Sequence, residues 1–121
     1  HFLDISLWDS FKLPAEEEHQ GKSLLAHFAD VHRKNVKLTV AGKITNAMEV
    51  AEVLESNIDF VTIGRSAILH HDFPNRVMAD ETFEPVAIPV APEHLAEEGL
   101  SPTFIQYMGN WKGFVSSDDL G

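Results

Sequence analysis

The sequence contains no cysteine. Disulfide frameworks, thiolate metal sites and cysteine nucleophiles are thereby excluded, and a reducing compartment suits the composition without being required by it. Positive charge is scarce: nine Lys and Arg stand against nineteen Asp and Glu, for a formal net charge of -10. That field repels phosphate backbones and anionic lipid, so neither nucleic acid nor a membrane surface is expected as a partner. No apolar run reaches the roughly 18 to 20 residues of a membrane span, and no basic segment leads into an apolar one at the start. A cytoplasmic location is the expectation. Repeats and low-complexity stretches are also missing. What remains is ordinary: 44% hydrophobic and 23% charged residues over 121 positions, enough for one core of usual density.

The chain opens at His1 directly on Phe2-Leu3-Asp4-Ile5-Ser6-Leu7-Trp8, a strand pattern with no polar lead-in, and we expect it to begin inside a longer protein. Asp9 to Gly21, with Pro14 and Glu16-Glu17-Glu18, reads as a long polar loop. A helix starts near Lys22 or Ser23, its apolar face formed by Leu24, Phe28 and Val31 and broadened by Leu25. Val36 to Ala41 is β-branched and bounded by Asn35 and Gly42, hence a strand. Thr45 is the expected N-cap of a helix with Ala47, Val50, Ala51 and Leu54 on its apolar stripe. Ile58 to Ile63 is a third strand, ending at Gly64-Arg65. Short helices are expected over Ser66 to Leu69 and Phe73 to Asp80, with Pro74 in the first turn of the second. Three prolines between Phe83 and Pro92 deny that segment a helix or a central strand. Pro92 suits the first position of a helix stopped by Gly99, and Pro102 to Tyr107 suggests one more. Alternating strands and helices with such connections make the class α/β with parallel βαβ units.

Two consecutive strands end in glycine, at Val40-Ala41-Gly42-Lys43 and at Thr62-Ile63-Gly64-Arg65. Backbone amides at the C-terminal ends of neighbouring parallel strands make an anion site, and glycine lets the chain approach a phosphate closely. Arg65 would add charge-assisted hydrogen bonds. The alternative is that both glycines only turn the chain and Arg65 pairs with a surface acid.

With Asp59 to Ser66 and Phe73-Pro74, these glycine segments resemble the final βαβα portion of the old yellow enzyme family, the FMN-dependent NAD(P)H oxidoreductases and ene-reductases. The opening Phe2 to Asp9 is similar to the sixth barrel strand of that family, and Tyr107 to Phe114 to the tail of a bacterial subgroup. The resemblance implies the C-terminal part of a TIM (β/α)8 barrel, about strands 6 to 8, over residues 1–80. Residues 81–121 would be a C-terminal extension packing on the barrel or on a neighbouring subunit. It implies that the FMN phosphate rests on Gly42 and Lys43 after one strand and on Gly64 and Arg65 after the next. Many relatives carry two glycines after strand seven; here Lys43 takes the second place, where a left-handed backbone is less comfortable. The parent would pass hydride from NAD(P)H through FMN to an activated alkene or another acceptor. No catalytic residue of that chemistry matches within this chain, which alone is expected to be inactive. The alternative from another class is a noncatalytic small α/β phosphate-binding module, and a third is a structural fragment that binds nothing by itself. Open strand edges and an inner face of Leu, Val and Ile point to a homo-oligomer.

Other constellations carry less. His70-His71-Asp72 has metal-ligand types, but adjacent histidines diverge on a helix and no second ligand pair with zinc spacing appears, so no metal is expected. His27 and His32 are five apart and off a common face. His94 and Glu97, at i, i+3, suit a solvated helix face. Ser6, Ser66 and Ser101 lack a nucleophile-elbow setting. Trp8 follows the first strand, either as part of a site mouth or packed on the neighbouring loop. Tyr107, Trp111 and Phe114 form an aromatic set that either closes the surface or meets another subunit.

Overall fold

The computed structural model describes residues 1–117, so the last four positions of the 81–121 extension lie outside the described residues. Three parallel strands, β1 (Phe2–Ser6), β2 (Lys37–Ala41) and β3 (Phe60–Val61), form one sheet in the order β1-β2-β3. Phe2 pairs with Lys37 and Ser6 with Ala41, while Thr39 pairs with Phe60 and Val40 with Val61. Between the strands lie α1 (Leu24–Ala29) and α2 (Ala47–Glu55), and a single 3-10 turn at Glu17–His19 interrupts the loop after β1. After β3 follow α3 (Arg65–Leu69), α4 (Phe73–Ala79), α5 (Pro92–Glu97) and α6 (Pro102–Met108). The chain is thus a small mixed α/β fold with a parallel sheet.

Two apolar clusters hold it together. Leu38 and Val40 on one face of β2 meet Leu25 and Ala29 of α1, Val53 of α2, and the loop residues Ile44 and Ile58. The second cluster joins Leu69 of α3 to Leu95 of α5, Ile105 and Met108 of α6, and Val90, Phe114 and Val115. Val90 N–H donates to Phe114 O at 2.9 Å and Ser116 N–H to Val90 O at 2.9 Å, so the proline-rich segment is fastened to the tail by one parallel bridge. The denial of a full strand there is borne out.

Several boundaries shift for identifiable reasons. Ser23 caps α1, its hydroxyl accepting the Ala26 N–H at 3.2 Å. That helix stops at Asp30, which puts Val31 beyond it and 45% exposed, and the buried positions are Leu25 and Ala29 rather than a Leu24, Phe28, Val31 face. Asn46, not Thr45, caps α2: Asn46 Oδ1 accepts the Glu49 N–H at 2.8 Å, and the Thr45 hydroxyl donates to Glu49 Oε1 instead. Ala47 and Val53 are the buried residues of α2, while Ala51 and Leu54 face outward. β3 is only two residues long because Asp59 takes over the ladder with its side chain, accepting the Leu38 N–H at 2.8 Å.

The inner face was expected to be Leu, Val and Ile. These side chains instead point into the helices, and alternation leaves Phe2, Asp4, Ser6, Thr39, Ala41, Phe60 and Thr62 on the uncovered face. Phe2 and Phe60 meet there, ring centroids 5.6 Å apart, and the Thr39 and Thr62 hydroxyls are 2.7 Å apart. None of the described helices is long and apolar enough to cross a membrane.

Candidate functional site

The C-terminal ends of β2 and β3 open onto a cavity of about 370 Å³. Gly42, Lys43, Gly64 and Arg65 all line it, so the fold brings together the four residues singled out in the sequence. Among the described residues, the backbone N–H groups of these four bond to no carbonyl or side-chain acceptor. Two loops from neighbouring parallel strands thus bring residues with unspent backbone donors to the border of one space.

The two glycines serve different ends. Gly42 has φ +153°, and a Cβ there would stand 2.6 Å from Leu7 O and 2.9 Å from Ser10 Oγ. Its carbonyl accepts from Ser10 N at 3.1 Å and from the Ser10 hydroxyl at 2.9 Å, which locks the loop after β1 against the loop after β2. Close approach of chain to chain explains this glycine. A Cβ on Gly64 would meet nothing within 4 Å, so the space beside it is left open. Lys43 adopts the left-handed backbone anticipated for that position, with φ +51°. Its ammonium lies 3.8 Å from Asp9 Oδ2.

Arg65 forms no ion pair among the described residues. Its guanidinium lies 5.7 Å from the centre of the Trp8 ring, a cation–π arrangement, so a surface acid is not its partner. Trp8 is 76% exposed, at the rim. Ser66 is buried, its hydroxyl donating to Ile44 O at 2.8 Å, which ties the start of α3 to the loop after β2. Sequence reasoning considered Ser66 only as a nucleophile and missed this role; its position directly after Gly-Arg was the available signal. The lining also includes the apolar side chains of Ile88, Trp111 and Phe114. The tail aromatics therefore divide: Phe114 is buried in the second cluster, whereas Tyr107 and Trp111 stay exposed, Tyr107 stacked on Phe104.

A second group of polar side chains gathers where α3, α4 and α5 meet. His70 and His71 approach His94 and Glu98, which are four apart on α5 and its C-cap and share one face. His94 is thus not on a solvated face: its Nε2 is 2.7 Å from Leu69 O. The sequence pairing of His94 with Glu97 was one residue short.

No protein-family model, curated protein or solved structure matches the chain, so its functional reading rests on its own residues and their geometry.

Proposed function

We propose that the chain is the phosphate-binding end of an FMN-dependent NAD(P)H oxidoreductase of the old yellow enzyme type, about strands 6 to 8 of its barrel with a C-terminal extension. The observation that supports this reading is that Gly42, Lys43, Gly64 and Arg65, at the ends of adjacent parallel strands, line one cavity with backbone N–H groups that have no acceptor among the described residues. Amides arranged so accept a phosphate dianion without reorganisation. The donor set fits such a group: Lys43 and Arg65 bring positive charge into an otherwise acidic molecule, and open space lies beside Gly64.

Each residue has a distinct task. The amides bond phosphate oxygens, and the Arg65 guanidinium swings from Trp8 to a two-point contact. Lys43 supplies charge once Asp9 is released. Ile88, Trp111 and Phe114 add apolar lining, which strengthens those bonds where it displaces water. Bound FMN would supply hydride transfer; the residues that grip substrate and donate protons in such chemistry belong to other strands. The chain alone is therefore expected to show no NAD(P)H oxidation beyond that of free flavin.

Titration of the chain with FMN, followed by flavin fluorescence, tests the reading. Saturable quenching that Arg65→Ala weakens by about tenfold, a loss of roughly 1.4 kcal/mol, is the expected result. Equal stabilisation by inorganic phosphate and by FMN would instead identify a noncatalytic phosphate-binding module. Absence of any effect of either ligand would end both readings.

A further inference from the structure

We propose that His70, His94 and Glu98 form a binding site for one divalent cation of the zinc class. One ligand atom from each lies within 4.8 Å of the others, at the junction of α3 and α5, and none of the three residues lines the phosphate cavity. Two imidazoles and a carboxylate are a donor set that zinc accepts, leaving a fourth position for water.

The hydrogen bonds of His94 and Glu98 already resemble those of an outer ligand shell. His94 Nε2 faces Leu69 O at 2.7 Å, so it must carry the proton and donate. This leaves the lone pair on Nδ1 free, held in orientation by a backbone carbonyl in the manner usual for metal-bound histidine. The Glu98 side chain is only 10% exposed. Its Oε2 accepts from the His71 backbone N–H at 2.8 Å and from the His71 ring Nδ1 at 2.6 Å, leaving Oε1 free.

His70 supplies an independent sign. It is 6% exposed, and its Nδ1 is buried with no hydrogen-bond partner among the described residues. Nε2 accepts the Val86 N–H at 2.9 Å, so the neutral ring carries its proton on Nδ1, where nothing receives it. A buried donor without an acceptor calls for an explanation. Ligation removes the orphaned donor by exchange: the proton passes from Nδ1 to Nε2, the ring stays neutral, a lone pair appears on Nδ1 for the metal, and the hydrogen bond from Val86 N–H is given up. The protonated Nε2 then repels the Val86 N–H, and the segment around Val86 must shift. Metal binding and the conformation of this segment are thereby coupled. Asp72, paired with Arg76 at 2.7 Å, is engaged elsewhere.

Chelator-treated protein titrated with zinc chloride in a calorimeter at neutral pH is the test. One equivalent is expected to bind. His94→Ala and Glu98→Gln should weaken binding at least about 100-fold, and His71→Ala, which removes only an outer hydrogen bond, about 10- to 100-fold. His27→Ala guards against adventitious binding at the surface pair His19 and His27, whose ring centroids are 6.0 Å apart, and should leave the stoichiometry unchanged. Nitrogen NMR of the unmutated protein keeps the inference testable if a variant fails to fold. Zinc should perturb Nδ1 of two histidines, leave the proton on Nε2 of His94, move the His70 proton from Nδ1 to Nε2, and speed amide exchange at Val86. Failure to bind zinc, the result if the three atoms merely share a buried water, would overturn the proposal. So would binding that His27→Ala abolishes and His94→Ala leaves intact.

Discussion

The Ser66 hydroxyl donates to Ile44 O at 2.8 Å, across 22 positions of sequence and in a buried setting. That bond ties the first turn of α3 to the loop after β2 and so constrains the spacing of the two sets of free amides. Ser66→Ala leaves the Ile44 carbonyl buried and unpaired, a loss of about 1 to 3 kcal/mol. Urea unfolding should show that loss, and phosphate affinity should fall with it. A variant of unchanged stability would mean that the loops are held by other contacts.

The two glycines are expected to differ sharply when mutated. Gly42→Ala places a methyl 2.6 Å from a backbone oxygen at a positive φ, and should cost about 2 to 4 kcal/mol. Gly64→Ala meets open space, so its effect on folding should be small while its methyl intrudes on bound phosphate. Thermal melts with and without phosphate separate the two kinds of loss.

Lys43 holds a left-handed backbone at φ +51°. Lys43→Gly relieves a strain of about 1 kcal/mol, offset in part by the greater freedom of glycine in the unfolded chain. Stability should therefore hold or rise slightly while phosphate affinity drops. A marked loss of stability would show that the 3.8 Å contact to Asp9 matters more than the backbone strain.

Arg65 over Trp8 offers an optical readout. Phosphate binding draws the guanidinium off the indole, so the intrinsic fluorescence of the protein should change on titration, and Trp8→Phe should remove that change. A response retained in Trp8→Phe would assign it to Trp111, which also lines the cavity.

Acid should destabilise the protein. Burial, and then the charge of Arg76, holds His70 below its ordinary value. The unfolded chain therefore binds a proton at higher pH than the folded one, and stability rises with pH between the two values. The His70 contribution is complete above roughly pH 6.5, declines as pH falls below that, and levels off under the lowered folded value. For Glu98, burial raises the carboxyl, but the His71 N–H, the His71 ring and nearby histidine charge outweigh it, and the net shift is downward. Its contribution is present above the ordinary carboxylate range and vanishes at still lower pH. Urea midpoints from pH 7.5 to 5.5 should fall, and His70→Gln should flatten the slope; an unchanged slope would exclude His70 as its source.

Parallel sheets are ordinarily covered on both faces, and this one is covered on one. The bare face, with Phe2 and Phe60 in contact, and the open edges of β1 and β3 should drive self-association. Sedimentation at micromolar concentration is expected to show a dimer or larger species, which Phe60→Glu should dissociate. A monomer in both cases would refute this.

Order and class of elements were legible along the chain because each rests on local chemistry: β-branched runs at 36–41, the serine before Leu24, proline in the first turns of α4, α5 and α6, and glycine at positive φ after α5. That Gly42, Lys43, Gly64 and Arg65 meet at one cavity was legible for the same reason, since two strand-ending glycines in tandem form a short-range signal. Burial within each helix was decided by tertiary packing. Val53 became a core residue, packed with Leu38 and Val40 of β2, and Leu54 did not, because contact with the sheet, and not the period of the helix's apolar residues, selects the buried face. Adjacent polar residues were equally indeterminate: His70 lies 24 positions from His94 and 28 from Glu98, and only the packing of α5 against α3 joins them. Sequence spacing reports on neighbours within one helix or strand. Contacts between elements depend on how their surfaces fill space together, and that is settled by the folded chain.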